Sequence, residues 1–236
     1  MRRYRRLVKP RGLTSFEVKA KETDLWILAQ RDLSKEALEE VLRLRRQIEA
    51  YIQKRPEFAT SFSPLSHDPL APPVVRTMIE AGQVVGVGPM AAVAGALAEG
   101  VGSKLLALSE EVIVENGGDV FLKVSRPRKV AIYAGNSPLS MKVGIEVPAE
   151  VSIGVCTSSA TVGPSVSFGQ ADAVCVVAKS AALADAAATA LGNLVKAPED
   201  IPRAISTAKG MSGVEGVVII IGDKLGAWGK YPLVEV

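Results

Sequence analysis

The sequence predicts an α+β protein of duplicated plan, with a mostly antiparallel sheet and two central helices built from small residues. Three observations carry this. Short apolar runs separated by Gly, Asn and Asp turns occur at 112–115 and 120–124 and again at 217–221 and 225–228. Two stretches, 90–108 and 181–194, have helical length but consist largely of Ala, Gly and other short side chains. Each is followed by an apolar strand, a Gly and Asp turn (Gly117, Gly118, Asp119, then Gly222, Asp223) and another strand. That order favours a duplicated α+β architecture over a regular βαβ alternation.

The elements follow in chain order. Residues 16–30 read as two short strands around a polar turn at Lys21–Asp24. Ser34 is placed to cap a helix running to about Arg55, with Leu38, Val41, Leu42, Ile48, Tyr51 and Ile52 on its apolar stripe. Five prolines between Pro56 and Pro73 give a loop of fixed path, and a short helix follows from Val74 to Glu80. A strand at Gln83–Val87 is expected to feed through Gly88 and Pro89 into the first small-residue helix. Further strands are expected at 129–134, 141–147, 151–156 and 171–178, and Ser180 should cap the second small-residue helix. A short helix near 200–208 precedes the last two strands.

Length and composition bound the answer. The chain has 236 residues, 48% hydrophobic and 22% charged, which suits one large domain or two fused halves with a sizeable core. The expected organisation is a basic, flexible arm over 1–15 and a single domain over 16–236, in related halves of about 16–125 and 126–236. Six of the positive charges fall in the first twelve residues, so the remaining chain carries about −3 of the net +3. The body is therefore not a nucleic-acid or membrane-binding surface on charge grounds. Leu7 and Val8 are followed at once by Lys9, Pro10 and Arg11, which is not an export signal. The apolar segment 84–98 reads as buried, not spanning. Two cysteines in apolar surroundings indicate a reducing compartment, so the location expected is cytoplasmic.

Four places could carry chemistry. Asp185 and Thr189 stand four residues apart on one helical face, offering two oxygen ligands to a hard cation such as magnesium. The face around them has Ala182, Gly192 and Asn193 where an ordinary wet face has Glu and Lys, so metal and solvent are evenly weighed. In Asn116, Gly117, Gly118 and Asp119, the glycines allow a backbone to approach a ligand, and an ordinary hairpin turn is the favoured alternative. In the segment 154–163, Thr157, Ser158, Ser159 and Thr161 are small donors suited to a phosphate or ring edge. Cys156 beside them is a nucleophile or sulfur carrier if its thiolate is stabilised, and a small buried hydrophobe otherwise. Gly86, Gly88 and Ala91 match a dinucleotide-binding pattern, with a tightly packed helix start as the alternative. The only histidine, His67, suits a structural or solvated role better than a catalytic one.

Taken together, FEVKAKETDLWI, VGVGPMAAVAGALAE, VENGGDVFL, MKVGIEVP, GVCTSSATVGPSVSFGQADAVCVVA and ADAAATALGN resemble the soluble, UPF-type branch of the ApbE superfamily. The resemblance spans residue 16 to the end and implies a T-fold-like architecture. ApbE proteins proper use magnesium to break the pyrophosphate of FAD and attach FMN to a threonine. By position, the resemblance implies that Asp185, Thr189 and the carbonyl of Ala91 hold Mg2+. It likewise implies that Asn116–Asp119 and Thr157–Ser159 line the FAD or FMN site. It also shows departures: Ala91, Ala92 and Val93 stand where the transferases carry A-K-G, and the histidine-containing segment is not recognisable between Thr161 and Ala171.

The leading expectation is a protein that binds a flavin nucleotide or related phosphate ligand with Mg2+, with FMN transfer or FAD pyrophosphate cleavage as the activity implied. One alternative is a sulfur-assimilation role, in homocysteine synthesis, using Cys156. Another is a non-catalytic scaffold whose basic arm docks an acidic protein partner or RNA. The small-residue helices are compatible with a homodimer.

Overall fold

The computed structural model describes Arg5, Pro10, residues 12–160 and residues 169–236. Among the described residues are eleven strands and six α-helices. The first hairpin is β1 (Thr14–Ala20) and β2 (Thr23–Ala29), with Lys21 at φ 53° in its turn. Helices α1 (Ser34–Lys54), α2 (Glu57–Thr60) and α3 (Pro73–Val85) follow, then a 3₁₀ turn (Pro89–Ala92) leading into α4 (Val93–Leu105). Strands β3 (Val112–Asn116), β4 (Asp119–Lys123), β5 (Arg128–Ala131), β6 (Val143–Val147), β7 (Ile153–Ser158) and β8 (Ala173–Ala178) come next. Helices α5 (Ala181–Leu194) and α6 (Ile201–Gly210) precede β9 (Val214–Ile221), β10 (Lys224–Gly229) and β11 (Leu233–Glu235).

Eight strands form one sheet in the order β1-β2-β3-β4-β7-β8-β9-β10, and a second sheet pairs β11-β6-β5. Every pairing is antiparallel. In the large sheet, the chain leaves after β2 to form α1–α4 and returns at β3. It leaves again after β8 to form α5 and α6 and returns at β9. The sheet thus consists of two four-stranded groups that meet where β4 pairs with β7.

Side-chain alternation divides the apolar residues between two cores. Val174, Val176 and Ala178 of β8 face the helices, while Ala173, Cys175 and Val177 face the three-stranded sheet. Being covered on both sides, β8 is buried at all six residues, which is why it reads as an unbroken apolar run. On the helical side, α4 lies over β3 and β4, α5 lies over β7 and β8, and the two helices pack against each other. Small residues allow that approach. A Cβ on Gly95 would land on the Ala181 carbonyl, and one on Gly154 would land on the Ala181 backbone.

Several expectations are corrected. Residues 83–87 are not a strand: Gln83, Val84 and Val85 continue α3, whose end is turned by Gly86 in the left-handed region at φ 81°. The glycines there cap a helix instead of following a strand, so the dinucleotide-type pattern lacks its structural setting. Ser34 does not cap α1; the cap position is Leu33, and Asp32 accepts the Ser34 amide at 2.8 Å. Leu38 and Leu42 face outward, because Ala37, Glu40, Val41, Leu44 and Ile48 take the buried side. The proline-rich loop contains α2, anchored by fully buried Phe58, whose ring meets Tyr51 edge-on at 5.2 Å. Within the stretch expected to be a basic arm, Arg5 is buried, held by Glu115 and Asp24. Among the described residues, no single helix is long and apolar enough to cross a membrane.

Candidate functional site

The hairpin joining β3 to β4 turns through Gly117 at φ 74° and Gly118 at φ 110°, two successive positive values that side-chain-bearing residues rarely adopt. The turn therefore places Asn116 and Asp119 opposite each other in register. Both lie on the helical side of the sheet, with Val114 and Phe121, and Cys156 of β7 lies on that side too. The Asn116 amide donates to the Ala94 carbonyl at 3.1 Å, which ties the turn to the first residues of α4.

Asp185 of α5 reaches the same place. Its Oδ2 accepts the Gly95 amide at 2.8 Å, and the Ala94 amide also favours its charge. It thus satisfies N–H groups that the first turn of α4 would otherwise leave unpaired. The arrangement is reciprocal, because Glu99 of α4 accepts the Ser180 hydroxyl at 2.8 Å and the Ala181 and Ala182 amides at 2.8 and 3.2 Å, closing the start of α5. Ser180 adds its own bond to the Leu183 amide.

Electrostatically this is an acidic cluster. Burial, and then the neighbouring Asp185 carboxylate, hold Asp119 well above the usual carboxylate range. Burial pushes Asp185 up to about 7, against the opposing pull of the Gly95 and Ala94 amides. None of the ion pairs among the described residues involves either side chain. Cys156 has no exposed surface, donates to the Ala181 carbonyl at 3.3 Å, and is pushed upward by burial and by Asp119 and Asp185. Those conditions keep it a thiol, so the nucleophile or sulfur-carrier reading gains nothing from its surroundings.

The remaining predicted residues divide. Thr189 lies one turn beyond Asp185 and is partly exposed. Ala91 lies in the 3₁₀ turn that packs against α5. Ser158 faces Gly192 of α5 on the helical side. The Thr157 hydroxyl points to the other face, where it meets Cys175, so this residue serves the site through its backbone: its amide favours the Asp119 carboxylate. Ser159 closes the strand end, and Thr161 lies outside the described residues, as do Pro164 and Phe168. Sequence reasoning missed Glu99 and Arg5 as structural partners of this region. Two cavities lie away from these residues, about 200 Å³ around Val217, Trp228 and Tyr231 and about 310 Å³ around Tyr51 and His67.

The donors fit a hard divalent cation. Two carboxyl groups, Asp119 buried and Asp185 half-buried, with the Thr189 hydroxyl one helical turn from Asp185, are a hard-oxygen donor set. Among the described residues no group of three or more His, Cys, Asp or Glu could hold a metal. The remaining ligands would thus be backbone carbonyls, water or a phosphate.

The fold defines the class: an α+β protein of the ApbE fold, with the acids Asp119 and Asp185 brought near the start of α4 beside a double-glycine turn. The V. cholerae flavin transferase ApbE superposes with a TM-score of 0.60 at 14% identity, covering 92% of this chain and 97% of that one. The apo flavinyl transferase ApbE of Pseudomonas stutzeri gives a TM-score of 0.57 at 15% identity, covering 92% and 94%. The family model described as "AbpE bacteria" matches residues 5–215, and the chain belongs to that ApbE-like family. Its relatives include a UPF0280 protein of Methanococcus aeolicus, 44% identical over 81% of this chain and 80% of its own length. Another, from Methanocaldococcus jannaschii, is 43% identical over 90% and 89%.

Proposed function

We propose that this protein binds a flavin nucleotide, FAD or FMN, together with Mg2+, where the Asn116–Asp119 turn meets the start of α4 and the face of α5. The observation that carries the reading is the pair Asp119 and Asp185. They come from different elements, Asp119 buried and Asp185 half-buried, and the Asp185 carboxylate disfavours ionisation of Asp119. Both are held above the ordinary carboxylate range, so the free protein keeps protons on the pair, and a bound cation would let both ionise; that is the support for a cationic ligand. Asp185, Thr189 and the Ala91 carbonyl are the residues that would hold the metal, with Asp119 contributing charge beside it. When bound, Mg2+ would draw charge from the ligand's phosphates.

The chain's own groups have separate tasks in this reading. Gly117 and Gly118 leave room for a ligand to approach the backbone, and Asn116 fixes the turn against α4. Ser158 and Ser159 offer hydroxyls at the end of β7, while Thr157 orients Asp119 through its amide. The flavin transferases that share the fold give the ligand class its support. FMN transfer, or cleavage of the FAD pyrophosphate, is the reaction such a site would serve. The buried Ala92 occupies the place of their lysine, so the chain supplies less positive charge for that step than they do.

Calorimetric titration of EDTA-treated protein with FAD, with and without MgCl2, tests binding. Saturable heat that needs Mg2+ and disappears in Asp185→Ala supports it; no heat in the wild type, or full binding by the variant, removes it. Mass spectrometry of a threonine-containing acceptor peptide after incubation with FAD and Mg2+ reports transfer separately.

A further inference from the structure

We infer that Arg5 is a positioning residue for this site, a latch through which the N-terminal arm sets the double-glycine turn; the inference rests on the proposed nucleotide site. Arg5 is 8% exposed despite lying in a segment rich in Arg and Lys. Its Nε donates to Glu115 Oε2 at 2.6 Å, its Nη1 to Asp24 Oδ1 at 2.8 Å, and its Nη2 to the Asp24 carbonyl at 2.8 Å. Glu17 of β1 stands 3.8 Å away. One planar guanidinium thus joins β2 to β3, a geometry that the point charge of lysine does not reproduce.

The position of the clamp matters. Leu25 pairs with Asn116, so Asp24 lies level with the start of the glycine turn. The second oxygen of Glu115 accepts the Gly118 amide at 2.8 Å. A continuous path therefore runs from the Arg5 guanidinium through the Glu115 carboxylate to the Gly118 amide, and Gly118 adjoins Asp119. Arg5 works from the face of the sheet opposite α4 and α5, because Glu115 alternates with the helix-facing Val114 and Asn116. It touches the turn from the face opposite the proposed ligand side. Glycines at φ 74° and 110° have many alternatives in a free turn, and a carboxylate held by an arginine narrows them. The family match begins at residue 5 itself.

The test compares wild type, Arg5→Ala, Arg5→Lys and the exposed-loop control Arg126→Ala in two measurements. Amide hydrogen exchange without ligand should show the Gly118 amide exchanging at least tenfold faster in Arg5→Ala, with Ile219 in the centre of β9 unchanged. Arg5→Lys should fall between and provides the readout if Arg5→Ala does not fold. Equal Gly118 protection in all forms, or acceleration spread evenly over the sheet, overturns the latch. FAD titration with Mg2+ should show at least a tenfold weaker Kd for Arg5→Ala and an unchanged one for Arg126→Ala. Faster exchange with unaltered FAD affinity overturns the positioning role. A wild type that binds no FAD overturns the proposed function instead, and the exchange data still decide whether the latch exists.

Discussion

Replacing Asp185 by Asn should stabilise the metal-free protein at alkaline pH while removing the metal site. In the unfolded chain this carboxyl loses its proton near the ordinary 3.8, and in the folded chain near 7. Between those values the folded state holds the extra proton, so rising pH favours unfolding across that window and has no further effect through this group above it. At about 1.4 kcal/mol per pH unit, the ceiling on the charge penalty is about 4 kcal/mol. Asn keeps an acceptor for the Gly95 amide but loses the charged acceptor at the α4 N-terminus, which returns about 1 kcal/mol. The pocket also relaxes, so the net gain expected at pH 8 is about 1–3 kcal/mol, at about 2–4 °C in Tm per kcal/mol for a chain of this size.

The assay is thermal and urea unfolding of both forms in EDTA from pH 4.5 to 8.5. The wild type should lose stability between about pH 4 and 7 and the variant should lose less, so that the two curves cross. If Asp185→Asn is less stable at pH 8 by as much as at pH 5, the carboxylate acts only as a helix cap and the argument from uncompensated charge is refuted.

Other outcomes follow from the same geometry. Glu99→Ala removes the acceptor for three donors at the start of α5 and should cost about 1–3 kcal/mol, measured by urea unfolding at pH 7. Gly95→Ala puts a methyl against the Ala181 carbonyl and 2.9 Å from the Asp185 Cβ, so α4 and α5 must separate. A loss of about 1–3 kcal/mol with weakened FAD binding is expected, and a native-like Tm with intact binding would contradict the packing described. Cys156 and Cys175 are both buried, so Ellman's reagent should label no thiol in the native state and two after denaturation; a fast-reacting native thiol would revive the sulfur-carrier role of Cys156.

What could be read from sequence depended on how local the signal was. The first hairpin, α1, α5 with its Ser180 cap, and the pairs β3–β4 and β9–β10 follow from patterns within a few residues. Residues 83–87 misled because Val84 and Val85 suit strands by propensity, and only the packing of α3 against α1, α4 and α5 selects helix. Strand β11 is three residues long and owes its pairing to β6. At the site, the i,i+4 spacing singled out Asp185 and Thr189, and the two glycines marked the turn. The facing of Asp119 and Asp185, the closure of α5 by Glu99 and the insertion of Arg5 depend on segments far apart in the chain. No single-sequence pattern encodes those meetings.

The exchange of acidic side chains between α4 and α5 explains why a costly acidic cluster can persist. Each helix presents its N-terminal N–H groups to an acid on the other, so the crossing at Gly95 and Ala181 is secured at both ends. The two caps are not equivalent. Glu99 is engaged by a hydroxyl and two amides, whereas Asp185 accepts the Gly95 amide while facing a second carboxylate. Cap duty alone would not require a carboxyl group at Asp119, whose ionisation Asp185 disfavours, and a neutral Asn at 119 would avoid that cost. On the proposed reading, the second acid serves something other than the crossing: a bound cation would let both groups ionise together, which neither helix start supplies.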